Sequence, residues 1–360
     1  MPIDHSILIK KMYLYIIKLK EILNDPSTLN LHDELCPLNQ SDKPPLLIYG
    51  NDLGEKVMKS KDFIPLNLID YFKAINNIPN SKFPSIELYF KKSPLFLKDP
   101  MQVEARNVLS ILYKNIEDKL LLWLPHFTRK YLAGIGVKDI HDPVAIAEQF
   151  TLDVFKKMIL VELDCEENSS IEFPGGILNT YKSKKSLEDY DRKLDLLLKF
   201  IEGKLIKIDR PAEEAWKIIS IVVMGTEPIS NSLAFGMALN PNHEKKWDAE
   251  TLFKELSPVS FLARLCAKET KIKNVLIQEG QEVYVALSII NQLSKPKDNT
   301  PEQINSFSFG LGKHMCPGRK ISLIITQTFL DAWENSKGIK VNSSSFSVTR
   351  DLILRLKGNK

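Results

Sequence analysis

The densest grouping of chemically useful residues runs from Phe307 to Gly318, reading Phe307-Ser-Phe309-Gly310-Leu-Gly312-Lys-His314-Met-Cys316-Pro-Gly318. Cys316 can supply a thiolate, an anion that binds iron and pushes electron density onto it. Gly310 and Gly312 allow a tight turn that would aim backbone N–H groups at the sulfur. The apolar periodicity after Pro317 reads as a helix to Trp333, so a positive dipole end faces the same anion. A glycine-rich turn around a buried structural cysteine is the plainer alternative. Cys36, Cys165 and Cys266 are scattered without metal-clamp spacing, and Cys36-Pro37 reads as a loop.

A second grouping is Met224-Gly225-Thr226-Glu227-Pro228, inside an apolar run that reads as a long helix from Pro211 to Asn240. Proline has no N–H, so Pro228 leaves the Met224 carbonyl without its helical partner, which predicts a kink and an open groove there. Helical rotation puts Asn231 and Ser232 near the Pro228 face one turn on and turns Thr226 largely away. Glu227 reads either as the acid of a water-mediated proton relay or as an exposed carboxylate or one that faces an anionic group.

The loop satisfies Phe-x-x-Gly-x-(His or Arg)-x-Cys-x-Gly at Phe309, Gly312, His314, Cys316 and Gly318. In this it resembles the haem loop of the cytochrome P450 superfamily, of the short bacterial type. Other segments resemble that family in the same order. They are Leu46 to Phe63, Asp99-Pro100 through Arg106, the distal helix Ile219 to Ile229, and Pro258 to Arg264. The resemblance spans nearly the whole chain. It implies a mainly α fold with small β-sheets, the cytochrome P450 fold, as a single haem domain over 1–360. It further implies haem b with Cys316 as axial ligand to iron and Phe309 packed on the macrocycle. Arg264 and His314 would hold propionates, with Gly310 and Gly318 shaping the loop and Met224 and Gly225 lining the distal groove. Arg106 is either a further propionate cation or a surface residue.

Three departures from the family pattern stand out. Its distal threonine, which helps deliver protons, is replaced by Pro228, leaving Glu227, Asn231 and Thr226 as candidate relay groups. Its Glu-x-x-Arg pair falls on Thr251 and Lys254, beside a Glu250–Lys254 pair at helical spacing. The segment from Asn291 to Ser306, where the family carries a third triad residue, is short and has no arginine. Together these suggest a remodelled proximal side.

Elements must position these groups. A strand within Pro44–Gly50 and helices over 51–61, 101–123, 143–163 and 188–205 follow from periodicity and caps. Strands are predicted at Lys271–Ile277 and Glu282–Leu287, joined around Gly280, and a hairpin at Ser345–Leu356. Substrate contacts are expected within Leu66–Lys98 and Cys165–Lys182.

Composition narrows the class. The 360 residues are 44% hydrophobic and 26% charged, an ordinary globular balance, and a net charge of +4 gives no global reason for nucleic acid. The apolar run from Met12 to Ile17 covers six residues, against about 18 or more for a membrane span, so no membrane anchor is expected. Free thiols fit a reducing, cytoplasmic compartment. The leading expectation is a monomeric monooxygenase-type oxidoreductase of secondary metabolism, oxidising a small or carrier-bound metabolite. Its electrons would come from a separate ferredoxin or flavodoxin, with Lys313, Arg319 and Lys320 attracting the acidic partner. The alternatives are peroxide-driven, dehydrating or radical-coupling haem chemistry, and a non-catalytic recruitment scaffold.

Overall fold

In the computed structural model, the described residues are 17–30, 33–66, 83–97, 100–136, 139–165, 172–174, 183–243, 246–293, 307–336, 338–342, 346–350 and 354–358. Residues 12–16 of the Met12–Ile17 run and residues 294–306 of the segment between Asn291 and Ser306 lie outside them.

Nine α-helices carry most of the described chain: α1 (Asn51–Lys59), α2 (Pro84–Lys92), α3 (Met101–Ala133), α4 (Pro143–Glu162), α5 (Lys184–Lys207), α6 (Ala215–Leu239), α7 (Ala249–Leu256), α8 (Leu287–Leu293) and α9 (Arg319–Glu334). Residues 17–24 are helical as well. Capping explains several starts. Asp142, Ser183 and Asp248 each accept a backbone N–H from the first turn of α4, α5 and α7. Proline at the first position of α2 and α4 loses no intrahelical bond.

Helix α3 is longer than its sequence pattern indicates, continuing ten residues past Trp123 and through Pro125 to Ala133. Its buried residues Leu109, Leu112, Ile116, Leu120, Leu124, Thr128 and Leu132 keep the three–four spacing across the proline. Packing therefore outweighs the local cost of Pro125.

Strands β1 (Leu35–Pro37), β2 (Leu46–Ile48), β3 (Phe63–Pro65), β5 (Leu262–Cys266) and β8 (Glu282–Val285) form one sheet in the order β1-β2-β8-β5-β3. Strand β2 pairs β8 in parallel, with Leu46 opposite Val283, and the other pairings are antiparallel. The expected strand Lys271–Ile277 is instead a hairpin of β6 (Thr270–Ile272) and β7 (Val275–Ile277). Lys273 turns it with φ +53, a left-handed conformation that strand propensity does not anticipate. The Glu282–Leu287 strand ends at Val285, because Leu287 begins α8. Short strands β4 (Ile140–His141) and β9 (Lys340–Val341) pair in parallel. The terminal hairpin is present as β10 (Phe346–Arg350) and β11 (Leu354–Gly358).

Helix α6 runs through the middle of the main core, flanked by Phe150, Phe155, Phe329 and Trp333, all buried, from α4 and α9. By length and composition residues 212–239 would suffice to cross a membrane, yet 78% of the apolar window is buried inside the fold. That burial identifies a core helix. A second apolar cluster lies between the sheet and α1, and Phe307 anchors the start of the cysteine loop in it.

Candidate haem site

Between α3, α6, α9 and the loop before α9 lies a cavity whose lining includes Cys316, His314, Phe309, Gly310, Gly318 and Arg264. Residues far apart in sequence therefore meet around one space. Arg106, Met224, Gly225 and Pro228 line it too.

The cysteine loop turns where its glycines permit. Gly310 and Gly312 both have φ +68, where a side chain is strained. A Cβ on Gly312 would also stand 3.2 Å from the Cα of Lys59 and from the Met58 carbonyl oxygen at the end of α1. The cradle of the sulfur differs from expectation. The Gly310 N–H donates to Phe307 O at 2.8 Å and is not aimed at Cys316. The N–H groups that stabilise the thiolate belong to Gly318 and Arg319, at the start of α9. Burial, the larger influence, pushes the Cys316 thiol up, and these N–H groups and the Arg106 guanidinium oppose it. The Cys316 N–H donates to Phe309 O at 2.8 Å and closes the turn. The Phe309 ring packs on Phe253 at 4.9 Å between centroids, with the Arg319 guanidinium 5.7 Å from its centre.

Helix α3 presents Gln102, Arg106, Leu109 and Tyr113 to the cavity, one helical stripe. Arg106 donates to Met315 O at 2.9 Å, so it braces the loop and does not point into bulk solvent. Gln102 and Tyr113 were not anticipated, although both share the helical face of Arg106. The Gln102 amide nitrogen lies 3.3 Å from His314 Nδ1. With that amide as donor, the ring proton sits on Nε2, available to an anion. Tyr113 is half-buried, and its phenol is raised well above its usual range by desolvation and then by the neighbouring Cys316 sulfur.

Arg264, on β5, is 6% exposed. Its Nη1 donates to Ala263 O at 2.9 Å, and its Nε has no hydrogen-bond partner. Burial alone lowers it to about 10. A guanidinium removed from water without a carboxylate requires an anion from elsewhere.

The distal wall is helix α6, continuous across Pro228. Ser220, Ile221, Met224, Gly225, Pro228 and Ile229 face the cavity, which is the stripe expected around the proline. The relay candidates do not join them. Thr226 bonds back to Val222 O at 2.6 Å, in keeping with its expected outward direction. Asn231 donates to Glu227 O at 2.8 Å and Ser232 to Pro228 O at 2.8 Å. Both were expected near the Pro228 face, and both are instead turned back onto the helix, outside the lining. Glu227 is buried outside the lining as well, close enough for its charge to help raise the Tyr190 phenol of α5. The hydroxyls that do line this wall are Ser93 and Ser220, 3.1 Å apart, which no sequence pattern singled out.

Of the predicted substrate segments, Leu66 and Ser93–Phe96 line the cavity. Residues 67–82, 98, 166–171 and 175–182 lie outside the described residues.

The proximal charges also rearrange. Thr251 is exposed and Lys254 half-buried, and Glu250 pairs with Arg319 and not with the expected Lys254. Lys320 pairs with Glu117 of α3. Arg319 and Lys320, both expected to attract a partner, are thus engaged within the chain.

No protein-family model matches the sequence, and no curated protein does. Solved structures do match. P450BioI, in a complex with an acyl carrier protein ligated by hexadec-9Z-enoic acid, superposes with a TM-score of 0.72 over 94% of this chain and 98% of its own, at 16% identity. The chain has the cytochrome P450 fold. P450 RauA, complexed with a biosynthetic intermediate of aurachin RE, gives 0.70 at 12% identity over 96% of this chain and 100% of its own. The Bacillus subtilis 168 bacillaene polyketide synthase cytochrome P450 PksS gives 0.70 at 15% identity over 96% of each chain. Haem, which the P450 fold implies, fits the residues present. A half-buried, cavity-facing sulfur with two N–H donors and a rim guanidinium lacking an anion match a metal ligand and a carboxylate clamp. The apolar walls suit a macrocycle.

Proposed function

We propose that the protein is a haem-thiolate oxidoreductase that performs a monooxygenase-type oxidation on a small or carrier-bound metabolite. The observation that carries this is the pairing of Cys316 with the anion-seeking Arg264 around one cavity. Bound there, haem b supplies dioxygen activation, to which a cysteine ligand contributes electron density.

The chain's own residues do the rest. Cys316 would hold the iron, and the Gly318 and Arg319 N–H groups and the α9 dipole favour the anionic sulfur against the opposing effect of burial. Arg264 and the Nε2 of His314 would hold the propionates. Phe309, Leu109, Ile221 and Ile229 exclude water. Pro228 brings no hydroxyl to the distal wall and removes one N–H from α6, so the Met224 carbonyl lacks its usual helical donor and can accept from water or a substrate group. Protons then reach the distal side through ordered water or the substrate, with Glu227 acting at one remove if at all.

Electrons would come from a separate ferredoxin or flavodoxin. Lys313, Arg319 and Lys320 surround the loop and would attract an acidic partner, although Arg319 and Lys320 are also paired with Glu250 and Glu117. The acyl-carrier complex of P450BioI supports a carrier-bound substrate by analogy of fold. A cytoplasmic monomer in secondary metabolism completes the reading. Pro228 favours one second reading, in which peroxide drives the oxidation and no distal hydroxyl is needed.

The test is the ferrous–CO spectrum of full-length protein produced with adequate iron. A strongly red-shifted Soret band is expected, absent in Cys316→Ala and present after single replacement of Cys36, Cys165 or Cys266. Wild-type protein that takes up no haem would refute the assignment.

A further inference from the structure

The lost Glu-x-x-Arg triad leaves the question of what holds the cysteine loop to the body of the fold. We propose that Asn291 is the positioning residue for the Cys316 loop, the centre of a neutral hydrogen-bonded brace in place of a charged triad. The proposal deepens the haem-thiolate reading and rests on it for its consequence at the iron, though not for the brace itself.

Asn291 lies on α8 and is 2% exposed. Its amide nitrogen donates to Ser257 Oγ at 2.6 Å and to Ser308 Oγ at 2.8 Å. Its carbonyl oxygen accepts the Phe307 N–H at 2.9 Å. Ser308 in turn donates to Phe253 O at 2.7 Å. Both amide protons and the oxygen are therefore used, and the three side chains are at least nine-tenths buried. One amide thus ties together the end of α7, helix α8 and the first two residues of the cysteine loop.

The geometry of each partner is specific. Ser257 closes α7 in a left-handed conformation with φ 42, and this turns its hydroxyl back toward α8. Phe307 is 1% exposed and packs in the cluster beneath the sheet, so the loop is anchored by apolar contact and by hydrogen bond at the same residue. From there the tie continues to the ligand. Gly310 N–H bonds Phe307 O, and Cys316 N–H bonds Phe309 O, both at 2.8 Å. A displacement of Phe307 is thereby passed to Cys316 through two backbone bonds.

The side-chain bonds of this brace are all between neutral groups. Arg350 reaches the same corner from β10, where it donates to Leu256 O at 2.9 Å and to Ser257 O at 3.5 Å, so it caps α7 beside the brace without bonding the loop. Glu250 and Arg319 pair on the exposed side. The positions of the family's pair, Thr251 and Lys254, make no bond to the loop in the described structure.

Removing the amide takes the acceptor from the buried Phe307 N–H and one donor from each serine hydroxyl, while Ser308 keeps its bond to Phe253 O; the buried N–H makes this a larger loss than one bond in water. The test uses the full-length chain and two readouts. In amide hydrogen exchange on the protein as purified, Asn291→Ala should lose protection at Phe307 and along the loop to Cys316 by about tenfold, with α6 protected as in wild type. In the haem-loaded protein, the same variant should convert about tenfold faster from the red-shifted, thiolate-ligated ferrous–CO band to the blue-shifted band of a complex that has lost the sulfur. Ser308→Ala, which removes one arm, stands in if Asn291→Ala does not fold and should move both readouts in the same direction. Lys254→Ala should move neither.

Unchanged exchange at Phe307 in Asn291→Ala or Ser308→Ala would overturn the brace. So would an effect of Lys254→Ala as large as theirs. A wild-type protein without the red-shifted band would instead defeat the haem-thiolate reading, and the exchange result would still decide the brace.

Discussion

The ring of Phe155 occupies the place a side chain at residue 225 would need: a Cβ on Gly225 would lie 2.6 Å from the Phe155 Cζ. Helices α4 and α6 therefore approach closely at the point where α6 also faces the cavity. This glycine serves helix packing as well as the open distal groove. Gly225→Ala should destabilise the protein by about 1–3 kcal/mol through overpacking. Thermal unfolding of Gly225→Ala beside the Gly225→Ala/Phe155→Leu double variant checks it, since the smaller partner should recover part of the loss. Equal destabilisation in both would place the strain elsewhere.

Arg264 yields effects of opposite sign with and without an anion. Its folded-state value of about 10 lies below the ordinary 12.5, so the cost of burying its charge is fully present at neutral pH. That cost fades only as pH rises past about 10. Arg264→Met should therefore leave the haem-free protein as stable as wild type or more so, while haem retention falls. Loss of a charge-assisted bond worth about 1.5–3 kcal/mol corresponds to roughly 10–150-fold in affinity. Chemical denaturation of the haem-free protein and haem transfer to an apo-acceptor measure the two arms.

Pro228→Thr should stabilise α6 by up to about 3 kcal/mol, because it restores an N–H to the Met224 carbonyl. It also returns a hydroxyl to the cavity-facing position. The division of reducing equivalents between product and peroxide should shift. Glu227→Gln provides the comparison: a general acid or base typically contributes about 10²–10⁴-fold, whereas its placement by Tyr190, outside the lining, predicts a smaller effect on oxygen-driven turnover. A full-sized loss would show that Glu227 reaches the cavity in the working enzyme.

The Arg319–Glu250 pair sits on the exposed side of the loop, and exposed pairs contribute roughly 0.2–1 kcal/mol. Arg319 does more, because its guanidinium also lies against the Phe309 ring. Glu250→Ala should thus cost little, and Arg319→Ala clearly more in thermal unfolding. If electron delivery depends on Lys313, reduction by an acidic ferredoxin should slow in Lys313→Glu and lose its salt dependence, with Lys320→Ala close to wild type.

How the site is encoded differs from part to part. The cysteine loop was legible because positive-φ glycines, a thiolate and a following helix are requirements of short range, satisfied within neighbouring residues. The long helices and the final hairpin were legible through their periodicity, and the family's landmarks appear in order despite no more than 16% identity among the solved structures compared. Other features were decided at long range. Nothing near Asn291 in sequence foretells that Ser257 and Ser308 will both meet its amide. Nothing near Glu227 foretells that the carboxylate will sit by Tyr190. The strand expected over 271–277 became a hairpin because one left-handed residue lets both arms pair.

The sequence by itself determined the glycine turns of the cysteine loop and the helical class of the fold, since each follows from local backbone and side-chain chemistry. Only the tertiary structure decided which side chains share the cavity, which cations are already paired, and what braces the loop where the charged triad is missing. Those outcomes depend on which helix faces come together when α3, α6, α7 and α8 bury their apolar stripes. No window of sequence contains that information.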